Sequence, residues 1–170
     1  MNKEQLDNLD LIIRTTLFNP EDYPNAKKNN QLVGAVFKCD FEGSGNWISE
    51  YEYLHILQKI FTFSGDNEIT AIEDFERKYK SSGNVVRLFN IFDESWLEFR
   101  DFTEKTEMIS FFAIGKSKSW LIWANRDFWC VVFDKSLINR FGWRGVIESN
   151  IVAFSDADEE FISFLDNLHS

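Results

Sequence analysis

His55 follows Glu52 by three residues, the spacing at which two side chains share one face of a helix. A carboxylate beside an imidazole is the simplest general-base pair, suited to taking a proton from a nucleophile. The thiols available to such a base are Cys39 and Cys130, and no spacing in the chain brings either to His55. The other histidine, His169, is the penultimate residue. Glu52 and His55 therefore read as part of a solvated helix seam. Both cysteines sit in apolar, strand-like runs and read as buried thiols.

Metal and phosphate chemistry can be tested in the same way. Asp156-x-Asp158-x-Glu160 begins like a calcium loop, but Phe161 stands where that loop would turn on glycine. Asp66-x-Glu68-x-Thr70 lacks the glycine too. Two cysteines and two isolated histidines make no zinc spacing. Gly43-Ser44-Gly45-Asn46-Trp47-Ile48 approaches a dinucleotide fingerprint, yet Ile48 replaces its third glycine, so a turn is expected. A carboxylate pair such as Glu42 with Glu50 means nothing without a cleft. No catalytic residue, metal or cofactor is expected from these patterns.

Charge is what remains. The 170 residues carry 18 Lys and Arg against 28 Asp and Glu, a net charge of −10. A phosphate backbone repels such a chain, so direct nucleic-acid binding is not expected. A basic protein is attracted to it. The acids concentrate in two stretches. From Asp93 to Glu107 there are six, interrupted by Arg100 and Lys105, and from Asp156 to the end there are five with no Lys or Arg. The candidate partner-binding residues are Glu94, Glu98, Asp101 and Glu104 in the first, and Asp158, Glu159 and Glu160 in the second. The second group is preferred because no cation interrupts it.

The elements that must position these residues follow from periodicity. Leu6, Leu9, Ile13 and Leu17 predict a helix over residues 3–18, ended by Pro20. Residues 19–31 read as a loop, and Leu32 to Phe41 as a strand. Ser49 and Glu52 make a capping box for a helix reaching Phe63. That helix is apolar around most of its circumference, so burial on two sides is expected. Thr70 with Glu73 suggests another capping box, and Ile72, Phe75 and Tyr79 the buried edge of a third helix. Val85 to Phe92 reads as a strand. Residues 93–102 fit either a short helix or a hairpin strand.

Met108–Ile114, Ser119–Ala124 and Phe128–Phe133 are three apolar runs joined by turns too short for crossover helices. They predict an antiparallel meander at the centre of a sheet. A short helix is expected at Ser136–Phe141, a last strand at Asn150–Phe154, and a closing helix capped by Ser155 and Asp156. Phe161, Phe164, Leu165 and Leu168 form the buried face of that last helix. Trp120, Trp123, Trp129 and Phe128 read as core, while Trp47 and Trp143, beside glycine-containing loops, are expected to be partly exposed. The whole is an α+β fold, one domain over residues 1–170 with residues 1–31 at its periphery. Its central antiparallel sheet should have about four to six strands, with helices packed on it. The N-terminus lacks the apolar core of a signal peptide, and no apolar run is long enough to span a bilayer, so a soluble cytoplasmic protein is expected.

The small acidic chain, the Phe/Trp-rich Met108–Phe133 meander and the closing helix from Asp156 to Leu168 resemble, in type, bacterial immunity proteins. Those proteins belong to contact-dependent inhibition and other polymorphic toxin systems. A meander followed by a terminal helix is also similar to the SMI1/KNR4-like (SUKH) immunity superfamily, although that family's Leu-Pro pair and following Asn-Gly turn are missing here. The resemblance implies a non-enzymatic inhibitor that binds a cognate toxin in the cytoplasm, without cofactor, membrane or direct nucleic-acid contact. Two rival readings are a small-molecule-binding or enzymatic domain with an aromatic pocket, and an acidic DNA mimic.

Overall fold

The computed structural model describes residues 1–39, 47–107 and 109–170. Phe41, Glu42, the Gly43-Ser44-Gly45-Asn46 turn and Met108 lie outside the described residues. The fold is α+β: six strands form an antiparallel sheet, with helices packed on it. The chain groups into two compact units, Met1–Phe37 with Cys130–Ser170, and Lys38–Trp129.

In the first unit α1 spans Lys3–Ile12 and continues through a π turn at Ile13–Leu17. Asn2 and Gln5 close a reciprocal capping box at its start. Leu6, Ile13 and Leu17 are buried, as their spacing predicts. Strand β1, Leu32–Lys38, lies beside β8, Phe128–Asp134. Gly34 permits this close approach, because a Cβ there would meet the Val131 carbonyl. A short α5, Ile138–Phe141, is followed by α6, Trp143–Ala153, and α7, Glu159–His169. Phe164, Leu165 and Leu168 of α7 are buried, and the Phe164 ring packs on Phe18 and Tyr23.

In the second unit α2, Glu50–Glu52, runs through a π turn at Tyr53–Leu57 into α3, Gln58–Ser64, which ends on Gly65 in left-handed geometry. Strand β2 is Ile69–Glu73, β5 is Phe89–Phe92, and β3, Arg77–Lys78, pairs with β4, Val85–Val86, in a separate ribbon. Helix α4 covers Trp96–Lys105. Strands β6, Phe111–Gly115, and β7, Trp120–Ala124, pair with Phe111 opposite Ala124 and Ile114 opposite Leu121. The order here is β7-β6-β2-β5, so the expected meander does lie inside the sheet. Its strands are buried along nearly their full length, and Trp120, Trp123 and Trp129 are core.

Several expectations are corrected. Residues 69–73 form a strand, not the start of a third helix. Ile69-Thr70-Ala71-Ile72 is rich in β-branched residues, and partners on both edges, β5 and β6, outweigh the apparent cap. The expected strand at Asn150–Phe154 is helical down to Ala153, since Trp143 and Asn150, two turns apart, are both buried on one face of α6. Residues 96–105 settle as a helix with Phe99, Phe102 and Thr103 inward.

The helix from Glu50 to Ser64 is buried on one side only. Tyr53, Leu57, Ile60 and Phe61 are enclosed, whereas Tyr51, Leu54 and Phe63 reach solvent. Trp47 and Trp143 are both buried, Trp47 through its indole N–H bond to the Asn125 carbonyl and Trp143 against Phe133. Asp158, rather than Ser155 or Asp156, caps α7, accepting the Phe161 amide at 2.8 Å. Phe161 is only half-buried, tilted against Phe154 and edge-on to Phe164.

Candidate functional site

Three carboxylates gather around β2, Glu73 and Asp66 buried and Asp74 half-buried, and each is occupied by the fold. Glu73 has no solvent exposure. Its oxygens receive the Arg77 guanidinium through Nε at 3.0 and 3.1 Å and Nη2 at 2.6 Å. Thr106 Oγ1 donates at 2.6 Å, and the Leu88 amide at 2.9 Å. A forked, hydrogen-bonded pair of this kind is what makes a buried charge tolerable. Arg77 in turn donates to Glu107 at 3.1 Å and to the Thr106 carbonyl at 3.0 Å. The Glu73 hydrogen bonds raise its already high pKa.

The other two flank the strand. Asp66, before β2, accepts the Trp120 indole N–H at 2.7 Å, and the Ser117 amide and hydroxyl, both at 2.7 Å. Gly115 leaves the room this requires, since a Cβ there would overlap both the carboxylate and the indole. Asp74, after β2, accepts from Ser110 at 2.6 Å and from the Trp123 indole at 2.9 Å. Two tryptophans of β7 thus end on two aspartates bracketing β2. These acids hold strands together, and the calcium-like spacing at Asp66 dissolves into that role. Among the described residues no group of three or more His, Cys, Asp or Glu side chains is placed to hold a metal ion.

The residues singled out for proton chemistry are dispersed. His55 is exposed, stacks on Tyr51 at 4.0 Å between centroids, and has Nδ1 2.9 Å from the Tyr51 carbonyl. Glu52 instead closes its capping box on Ser49. The Cys39 thiol lies 3.8 Å from the Asn125 carbonyl, and burial pushes it up to about 12, with Asp127 and Glu52 adding to the effect. At neutral pH it is a thiol, not a nucleophilic thiolate. Cys130 is buried.

In the first unit the buried Asn150 side chain is bonded to Val36. Its Oδ1 accepts the Val36 amide at 3.1 Å and its Nδ2 donates to the Val36 carbonyl. His169 Nε2 lies 3.2 Å from the same Oδ1. Burial lowers the His169 pKa, and Lys27 reinforces this against the opposing Asp166. Lys135 donates to the Ser170 carbonyl at 2.6 Å, placing a cation at the end of α7 where the helix dipole favours it.

The predicted partner-binding acids are all exposed. Glu94 lies in the bend before α4, and Glu98 and Asp101 are exposed on the helix whose Phe99, Phe102 and Thr103 are buried. Arg100 offsets part of this acidic run, 3.6 Å from Glu104 and 3.9 Å from Asp101. On α7 Asp158 is committed to the cap, while Glu159 and Glu160 point to solvent in the first turn. Among the described residues no ion pair engages Glu94, Glu98, Glu159 or Glu160. The α4 acids belong to the second unit and the α7 acids to the first.

Sequence reasoning missed Asp66, Glu73, Asp74, Arg77 and Asn150 as organising residues. Only the four-residue spacing of Glu73 and Arg77 was a local signal, and it resembles any helical ion pair. No helix among the described residues is long and apolar enough to cross a membrane. No family model matches the chain, and no curated protein or solved structure matches it either.

Proposed function

We propose that the protein is a non-enzymatic, immunity-type inhibitor that captures a basic toxin domain, most simply a nuclease, in the cytoplasm. The supporting observation is the division of labour among its acids. The three buried or part-buried carboxylates around β2 are consumed by internal hydrogen bonds, whereas Glu94, Glu98, Glu159 and Glu160 stand in solvent and pair with no cation among the described residues. Acids in the first turn of α7 stabilise that helix by only about 0.3–1 kcal/mol each, so their fold role is small. A nuclease needs positive charge to hold its substrate, and an acidic inhibitor competes for that same field. Electrostatic steering raises association toward about 10⁸–10⁹ M⁻¹s⁻¹ at low salt.

The test is binding kinetics with the product of a toxin gene adjacent to this one, at two salt concentrations. The double reversal Glu159→Lys/Glu160→Lys should leave the protein folded and slow association roughly tenfold or more at low salt. An on-rate indifferent to salt and to the reversal removes the electrostatic element. Failure to bind or neutralise any adjacent toxin overturns the immunity reading.

A further inference from the structure

Strand β5 ends the sheet, and its outer edge is unpaired among the described residues. Its orientation is fixed by Leu88, whose carbonyl accepts the Glu73 amide at 3.0 Å and whose own amide donates to the Glu73 carboxylate at 2.9 Å. Backbone groups alternate along a strand. Asn90, opposite Ala71, and Phe92, opposite Ile69, therefore face β2, and Phe89 and Ile91 turn their N–H and C=O groups outward. Ile91 is 42% exposed. An edge of this kind is a template for another strand.

Charge selects the occupant. Arg87 stands two residues before β5, but Asp93 and Glu94 leave the strand directly. Helix α4, which packs on β5 through Phe99 against Phe92, carries Glu98 and Asp101 outward, the latter 3.9 Å from Arg100. A second copy also carries a net charge of −10, so two chains repel each other as a whole. A strand bearing Lys or Arg meets complementary charge.

We propose that the free edge of β5 receives an extended, basic segment of the partner, which adds as a further strand hydrogen-bonded to Phe89 and Ile91. This rests on the reading of a basic partner and names how the partner is gripped. Backbone pairing supplies the grip and the neighbouring acids supply the charge preference.

The probe is a short fluorescein-labelled peptide of alternating Lys and Val, read by anisotropy. Ile91→Pro deletes an outward N–H that serves no internal bond among the described residues, a change edge strands tolerate. It should melt close to wild type and weaken peptide binding by about tenfold or more. A peptide N-methylated at alternate residues should lose binding to wild type, whereas Ile91→Val should bind normally. Wild type that ignores the peptide overturns the proposal. So does Ile91→Pro binding as tightly as wild type, which would leave charge alone as the attraction. A wild-type dimer in sedimentation equilibrium that Ile91→Pro dissociates also overturns it, because the edge is then closed by a second copy. The Glu159 and Glu160 reversals report on the functional reading separately, since they lie on α7.

Discussion

Strands β1 and β5 are the two end strands of the sheet, and their backbones are treated differently. At β1, α6 presents Asn150, which bonds both the amide and the carbonyl of Val36 as a neighbouring strand residue would. At β5 no side chain does this for Phe89 or Ile91 among the described residues. The inner side of β5 is instead secured from β2, by the register from Ile69–Phe92 to Ile72–Phe89 and by the Glu73 carboxylate on the Leu88 amide. One edge is closed by an amide that mimics a strand. The other is held from within, kept short, and followed by Asp93 and Glu94, devices that restrain indiscriminate pairing while leaving the edge open to a basic strand.

The largest loss is expected at Glu73. Glu73→Ala takes the buried carboxylate from Arg77, which keeps Glu107 and the Thr106 carbonyl, and leaves the Leu88 amide and Thr106 hydroxyl without their acceptor. A loss of about 3–5 kcal/mol is expected, the range for removing one partner of a buried pair. Denaturant unfolding measures it, and a midpoint near wild type would show that Arg77 finds water instead.

Asn150→Ala should cost somewhat less, about 2–4 kcal/mol, because two buried backbone groups of Val36 lose their partners at about 1–3 kcal/mol each. Native-state hydrogen exchange at the Val36 amide sharpens the point. That amide should lose protection in the variant, while amides of β6 and β7 stay slow.

The smallest expected effect is a pH dependence beside Asn150. His169 has a folded-state pKa below its unfolded value, because burial disfavours the cation. Between those two values the unfolded chain binds more protons than the folded one. Stability present above pH of about 6.5 is therefore lost as pH falls toward the folded value. Melting temperatures from pH 7.5 down to 5 should decline in wild type, and His169→Gln should flatten part of that slope. Identical slopes would place the titration elsewhere.

Much of this molecule was legible because its signals are local. The turns at Gly115–Lys118 and Asn125–Asp127 allow nothing but hairpins between the Met108, Ser119 and Phe128 runs, so the heart of the sheet follows from adjacent residues. The Ser49–Glu52 capping box closes within one turn and appears as read. The two acidic runs were visible too, and the closing helix with Phe164, Leu165 and Leu168 inward followed from its spacing, whereas residues 93–102 fitted helix and strand alike until packing buried Phe99 and Phe102.

What tertiary structure decided are pairings between residues far apart in the chain. Thr70 and Glu73 have the types and spacing of a helix cap. They form a strand because β5 and β6 supply hydrogen bonds on both edges, from segments about 20 and 40 residues away. Asn150 lies in a β-branched run that reads as a strand, yet α6 keeps Trp143 and Asn150 on one buried face, and the amide spends its bonds on Val36, 114 residues earlier. Trp47 and Trp143 stand beside glycines, and only packing buries them. Local propensity amounts to a few tenths of a kcal/mol per residue, whereas a satisfied buried polar group or a paired strand edge is worth several times that. Where the two disagreed in this chain, the long-range term prevailed.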